Sequence, residues 1–116
     1  MDRDDDKRRW VFGLCADWCG VCREWRTVFN TVAAKHQNDR FVWIDIEDQE
    51  DLVGEVDIET FPTLLVGNSD DLLFFGPTQP SLPQLTWLLA GLDGSSKPTA
   101  GLATHALFER LKSAQL

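Results

Sequence analysis

The chain has no apolar run approaching the roughly 18 residues that a membrane-spanning helix requires, so no span is expected. It also lacks any cluster of Lys and Arg interleaved with aromatic residues. A formal net charge of -8 would repel nucleic-acid phosphates and anionic lipid headgroups, which excludes nucleic acid as a partner. Cysteine is sparse and unevenly placed: Cys15, Cys19 and Cys22 all fall within eight residues, which rules out the distributed bridges of a small secreted scaffold. No Ser/His/Asp pattern, glycine-rich phosphate loop or paired-carboxylate constellation points to hydrolase or kinase chemistry. There is no internal repeat and no low-complexity segment. The first nine residues, Met1 to Arg9, are a charged leader with no hydrophobic segment of signal-peptide type behind them. The expected location is therefore the cytoplasm, with the bacterial periplasm as the alternative if a signal or anchor has been removed.

What is present describes one globular domain. A chain of 116 residues buries roughly two-thirds of its unfolded surface, and 43% hydrophobic residues, including five Trp and seven Phe, can fill such a core. Eight carboxylates between Asp45 and Glu59 with no Lys or Arg among them read as a solvated face. Trp10 to Ala16 is a continuous apolar run and reads as a buried strand ending at the cysteines. From Gly20 to about His36, residues Cys22, Trp25, Phe29, Val32 and Ala33 recur at helical spacing, giving an amphipathic helix with Cys19 at its N-terminus.

Phe41 to Ile46, rich in β-branched and aromatic residues, is expected to be a central strand, followed by a short helix over 49–56. Leu64 to Val66 and Leu72 to Phe75 flank the turn signal at 67–71 and read as an antiparallel hairpin, which the segment from Gly76 to Pro80 breaks. Ser81 can cap a helix to about Leu92 whose stripe is Leu82, Leu85, Leu88, Leu89 and Leu92. Residues 93–98 are linker-like, and 99–116 form a last helix with Ala103, Leu107, Leu111 and Ala114 on one face and His105, Glu109 and Lys112 opposite. That helix either packs back or covers a partner, and packing back is favoured. The expected domain is thus 10–92, α/β in class, with a mixed sheet and helices on both faces.

Two cysteines separated by two residues, the first at a helix start, suit reversible disulfide chemistry. Unpaired backbone N–H groups and the positive end of the helix dipole stabilise a thiolate on Cys19. Cys22, one turn further in and on the apolar stripe, is shielded and suited to resolving a mixed disulfide. Arg23 and Arg26 add a small positive potential. The same spacing is half of a zinc site, so a domain held by three cysteines and either His36 or His105 stays open as an alternative. Cys15 reads as a buried, inert thiol, His36 as a helix-end residue and His105 as a surface residue.

The segment Ala16-Asp-Trp-Cys-Gly-Val-Cys22 after an apolar strand, with Phe61-Pro62-Thr63 opening a later one, resembles the thioredoxin family over residues 8 to 92. The resemblance implies a thioredoxin-like fold, shortened at its N-terminus to a mixed four-stranded sheet, with the C-terminal helix as an addition. It implies a thiol-disulfide oxidoreductase in which Cys19 attacks a substrate disulfide and Cys22 releases it. It further implies that Pro62 matches the family's cis-proline and that Phe61 offers backbone hydrogen bonds to an extended substrate strand. Trp18, Gly20, Val21 and Gly76 would border the same groove. Partners would be protein disulfides and a thiol or reductase that donates electrons; no cofactor and no metal are expected, and the chain is expected to be a monomer.

Departures from that family matter. Val21 stands where thioredoxin itself usually has proline, and the buried acid of the family aligns with Gly13, its partner lysine with a residue near Trp43. Without that acid the resolving thiol lacks its usual proton acceptor, and Asp17 is a weak substitute. Slow resolution follows as an expectation. So does the alternative of a thioredoxin-like binding or scaffold module with an idle dithiol. The phrase Asp17-Trp18-Cys19 also resembles thioredoxin-like domains that pass electrons in the bacterial envelope.

Overall fold

A computed structural model describes residues 9–16, 20–37, 39–54, 62–68, 72–78, 81–92 and 102–115. The elements run β1 (Trp10–Cys15), α1 (Gly20–Lys35), β2 (Arg40–Asp45), α2 (Glu50–Val53), β3 (Thr63–Gly67), β4 (Leu72–Pro77), α3 (Leu82–Gly91) and α4 (Leu102–Ala114). The four strands form one mixed sheet in the order β2-β1-β3-β4. β1 pairs in parallel with β2 through the crossover helix α1, and β3 runs antiparallel to both β1 and β4. This is the architecture expected from the sequence, a parallel pair followed by a hairpin.

Strand alternation sorts the side chains onto two faces. Trp10, Phe12 and Leu14 of β1 join Ile44, Leu65 and Leu72 on one face, closed by Val53 of α2 and by Leu107, Phe108 and Leu111 of α4. Val11 and Cys15 join Leu64 and Val66 on the other, closed by Cys22, Trp25, Phe29 and Val32 of α1 and by Leu85 and Leu89 of α3. All six residues of β1 are buried, because helices cover both of its faces.

Three expectations change. β2 is an edge strand among the described residues, and its burial is accordingly intermediate everywhere except Ile44. Its aromatic and β-branched content reflects packing against helices on both faces rather than a central position. β4 continues through Gly76 to Pro77, with Thr63 paired to Pro77, so Gly76 does not break the strand. Proline is tolerated there because β4 is an edge and needs no outward N–H at that position.

The C-terminal helix packs back, but on a rotated stripe. Thr104, Leu107, Phe108 and Leu111 face inward, whereas Ala103 and Ala114 are exposed. The phenyl ring of Phe108 meets Phe12 edge-on at 6.0 Å, a larger apolar gain than two methyl groups give. Lys112, expected on the outer face, is buried along its stem, with Nζ 4.6 Å from the Phe108 ring and 3.0 Å from Glu109.

Two arginines fasten helix ends. Arg9 pairs with Asp39 at 2.6 Å and donates to the carbonyls of Leu89 and Leu92 at 2.5 and 3.2 Å, satisfying the last turn of α3. Arg110 of α4 does the same for α2, donating to Leu52 and Val53 at 2.8 and 3.1 Å. The chain leaves α2 at Gly54, whose φ of 63° is readily adopted only by glycine. Ser81 caps α3, its hydroxyl accepting from the Gln84 N–H.

Candidate functional site

The pairing register brings one end of the sheet together. Leu14 of β1 lies opposite Thr63 at the start of β3, and Thr63 lies opposite Pro77 at the end of β4. Cys15 therefore ends its strand beside the neighbourhood of Pro62, with Gly76 one strand further across. The Cys15 carbonyl accepts from Ile46 N–H at 2.9 Å, which extends the parallel ladder past the last residue of β1 and fixes the strand's end. Pro62 is buried and its carbonyl accepts from Thr78 N–H at 3.0 Å, tying the entry of β3 to the exit of β4.

Helix α1 starts at Gly20 and presents its N-terminal turn at this end. That turn contains no acidic residue, and a guanidinium nitrogen of Arg23 lies 3.9 Å from the point where a Gly20 Cβ would stand. Dipole and side chain both favour negative charge here. Arg26 is committed elsewhere, stacking 5.2 Å over the Trp43 ring. Gly20 and Val21 are exposed, Val21 at 41%, whereas Cys22 is 1% exposed and faces the core. Of the residues the sequence singles out, Cys22, Gly20, Val21, Pro62 and Gly76 are described; Asp17, Trp18, Cys19 and Phe61 lie outside the described residues, as do the leader 1–8 and the segment 93–98.

Cys22 is joined by a disulfide to Cys15, with their Cα atoms 5.8 Å apart. Cys15 is buried, as expected, but it is bridged rather than a free and inert thiol. The signal was available in the sequence: alternation in β1 puts Val11, Gly13 and Cys15 on the face toward α1, and Cys22 leads the stripe that α1 lays on that face. A strand end and the first turn of the next helix are within disulfide reach when both side chains point into the same layer.

Beneath the disulfide the core is aromatic. A Cβ placed on Gly13 would stand 2.8 Å from Trp25 and 2.9 Å from Phe29, so the indole occupies the space a side chain at position 13 would fill. Trp25 meets Phe29 at 5.2 Å and Trp43 at 5.6 Å. Its Nε1 is buried without a hydrogen-bond partner among the described residues, and a desolvated donor of this kind typically costs about 1–3 kcal/mol. Position 13, a glycine, places no carboxylate beside Cys22, and Trp43 on the neighbouring strand is half-buried.

Among the described residues no zinc site assembles. His36 follows the C-terminal end of α1, its Nδ1 3.0 Å from the Val32 carbonyl. His36 lies fourteen positions beyond Cys22, about 20 Å along the axis at the α-helical rise. His105 is exposed on α4, across the sheet. No metal-binding group of His, Cys, Asp and Glu occurs among the described residues, and no described helix is long and apolar enough to cross a membrane.

The resemblance carried by these residues extends to known proteins. Rat thioredoxin domain-containing protein 2 is 40% identical over 61 residues, which are 53% of this chain and 11% of that one. Human thioredoxin is 30% identical over 53 residues, 46% of this chain and 50% of that one. The match thus spans about half the length of thioredoxin and about a tenth of the longer relative. Among solved structures, the germline-specific thioredoxin Deadhead of Drosophila melanogaster superposes with a TM-score of 0.64 at 24% identity, covering 77% of this chain and 84% of that one. Fasciola hepatica thioredoxin superposes with a TM-score of 0.66 at 17% identity, covering 77% and 85%. These likenesses establish the fold. The thioredoxin family model matches residues 3–76, which take in β1, the cysteine-bearing turn of α1 and the hairpin, and with the sheet order above they make this chain a member of the thioredoxin family.

Proposed function

We propose that the chain is a thiol-disulfide oxidoreductase that reduces or exchanges protein disulfides, with Cys19 as nucleophile and Cys22 as resolving thiol. The observation that carries this reading is a cysteine at the N-terminal turn of α1 already closed into a disulfide at the end of β1. Cys19 thiolate attacks a substrate disulfide, forming a mixed disulfide and releasing one substrate thiolate. Cys22 then attacks the Cys19 sulfur, releasing the second. Two electrons pass from the cysteine pair to the substrate, and a thiol or reductase restores them.

The groove around this chemistry is read as Trp18, Gly20, Val21, Phe61, Pro62 and Gly76, with an extended substrate strand pairing to the Phe61 backbone. The exposure of Gly20 and Val21 beside buried Cys22 supports this, because an exposed rim next to a shielded sulfur admits a substrate to the first thiol while protecting the second. We read residues 10–92 as the redox domain, the chain as a monomer and its location as cytoplasmic, with the bacterial periplasm as the alternative.

A second reading, a binding module with an idle dithiol, draws on the indole that fills the space beside Gly13. One titration separates them. Equilibration in a glutathione series, followed by alkylation and mass measurement, is expected to give a two-electron transition. A chain whose cysteines stay open across the series would leave only the binding module.

A further inference from the structure

We infer that Cys15 is a third redox cysteine, which takes Cys22 out of a Cys19–Cys22 disulfide and returns Cys19 as a free thiol. The inference rests on the oxidoreductase reading above and adds a step to it. Cys22 has one sulfur and two candidate partners: Cys19, three positions earlier in sequence, and Cys15, to which it is bonded.

The two bridges differ in surroundings. Cys15 and Cys22 are 0% and 1% exposed and share one apolar cluster with Val11, Trp25, Leu64 and Leu85. A disulfide carries no ionisable proton and suits such a layer, whereas a thiolate there is desolvated. Cys19 immediately precedes Gly20, the first residue of α1; a helix N-terminus favours a thiolate, and a thiol with a stabilised anion is the better leaving group. The exchange therefore runs inward: the sulfur best held as an anion is released, and the two sulfurs best held uncharged are joined.

The step balances without any further oxidant. The Cys15 sulfur attacks the Cys22 sulfur, the Cys15–Cys22 bond forms, the Cys19–Cys22 bond breaks, and Cys19 leaves as thiolate. The Cys15 proton passes to solvent or to Cys19. Oxidation state is unchanged, since one disulfide and one thiol stand on each side. From the reduced chain, three thiols and one substrate disulfide give the buried bridge, one Cys19 thiol and two substrate thiols. The consequence is functional. A chain oxidised in this way still carries a nucleophile, but it has lost its resolving thiol, so a second disulfide is captured as a mixed disulfide and held until an external thiol releases it.

Site-resolved differential alkylation of the full chain tests this. Reduced protein is mixed with one equivalent of oxidised glutathione, quenched with acid at intervals and labelled with one alkylating reagent. It is then reduced and labelled with a second. Arg9 and Arg23 bound a single tryptic peptide holding all three cysteines, whose fragment ions assign each label. The first label should sit on Cys15 early and move to Cys19, leaving Cys15 and Cys22 with the second label at the end. A first label that stays on Cys15 at equilibrium overturns the inference while leaving the oxidoreductase intact. If no cysteine acquires the second label, both fall. In a Cys15→Ala chain, first labelling of Cys19 should be lost at equilibrium; the native time course decides the question even if that variant folds poorly.

Discussion

The two faces of the sheet are built from the same strands and yet carry different work. The face under α2 and α4 is closed by aliphatic and aromatic side chains, with Trp10 stacked on Phe12 at 5.7 Å and Phe108 set edge-on against it. The face under α1 and α3 holds the disulfide, the indole beside Gly13 and a buried Trp25 Nε1 that no described residue pairs. One face maximises apolar contact. The other gives some of that up to keep sulfur beside a helix N-terminus, the usual compromise where a fold hosts chemistry.

The largest effect should come from opening the first face. Phe108→Ala removes a ring 2% exposed and is expected to cost about 3–5 kcal/mol, a large part of the 5–15 kcal/mol typical of a domain. Urea unfolding reads this directly. Site-resolved alkylation of the still-folded variant should show the same order of cysteine reactivity as the native chain; a changed order would mean that the two faces are not separable.

Next comes Gly13→Asp, the substitution that supplies the carboxyl absent from this chain. Its Cβ alone would come within 2.9 Å of two rings, so about 1–3 kcal/mol of destabilisation from overpacking is expected, and faster turnover is not. The native protein should be alkylated readily at Cys19 yet reduce a model disulfide slowly. A Gly13→Asp chain as stable as the native and quicker on that disulfide would show that the indole yields and that the missing acid was the only obstacle.

This region also marks where the sequence could be read and where it could not. The succession of strands and helices along the chain, the stripe of α1 and the Ser81 cap were legible because each depends on local spacing or one side chain. The position of β2 at an edge was not, since burial on both faces produces the same aromatic and β-branched run as a central strand. The rotated stripe of α4 was missed for a related reason: counting alanines as core residues outweighed a single phenylalanine. Arg9, which reads as the last residue of a charged leader, takes its role from the carbonyls of Leu89 and Leu92, some 80 positions away in sequence, and no local pattern announces that. The Cys15–Cys22 bridge lay between these cases, implied by two periodicities that meet in one layer.

Arg9→Met should cost about 2 kcal/mol, since it unpairs Asp39 and the end of α3 together. Asp39→Asn should cost less, because the bonds to the α3 carbonyls remain. Equal losses in denaturant unfolding would place the whole effect in the ion pair and remove the helix-end role.

The smallest effect tests whether charge contributes to the apolar face at all. Lys112 is 9% exposed, and its ammonium bridges to a Glu109 carboxylate that is itself 64% exposed. An i,i+3 pair whose carboxylate stands in solvent contributes no more than about 0.5 kcal/mol and is screened by salt, so Glu109→Gln should barely move the unfolding midpoint and not at all in 1 M salt. Lys112→Met keeps the stem that covers Phe108 and should stay within about 0.5 kcal/mol of the native chain. Lys112→Ala removes that stem and should cost more than either. If Met and Ala proved equally damaging, the ammonium rather than the hydrocarbon would be what seals this face, and the contrast between a contact face and a chemical face would have to be redrawn.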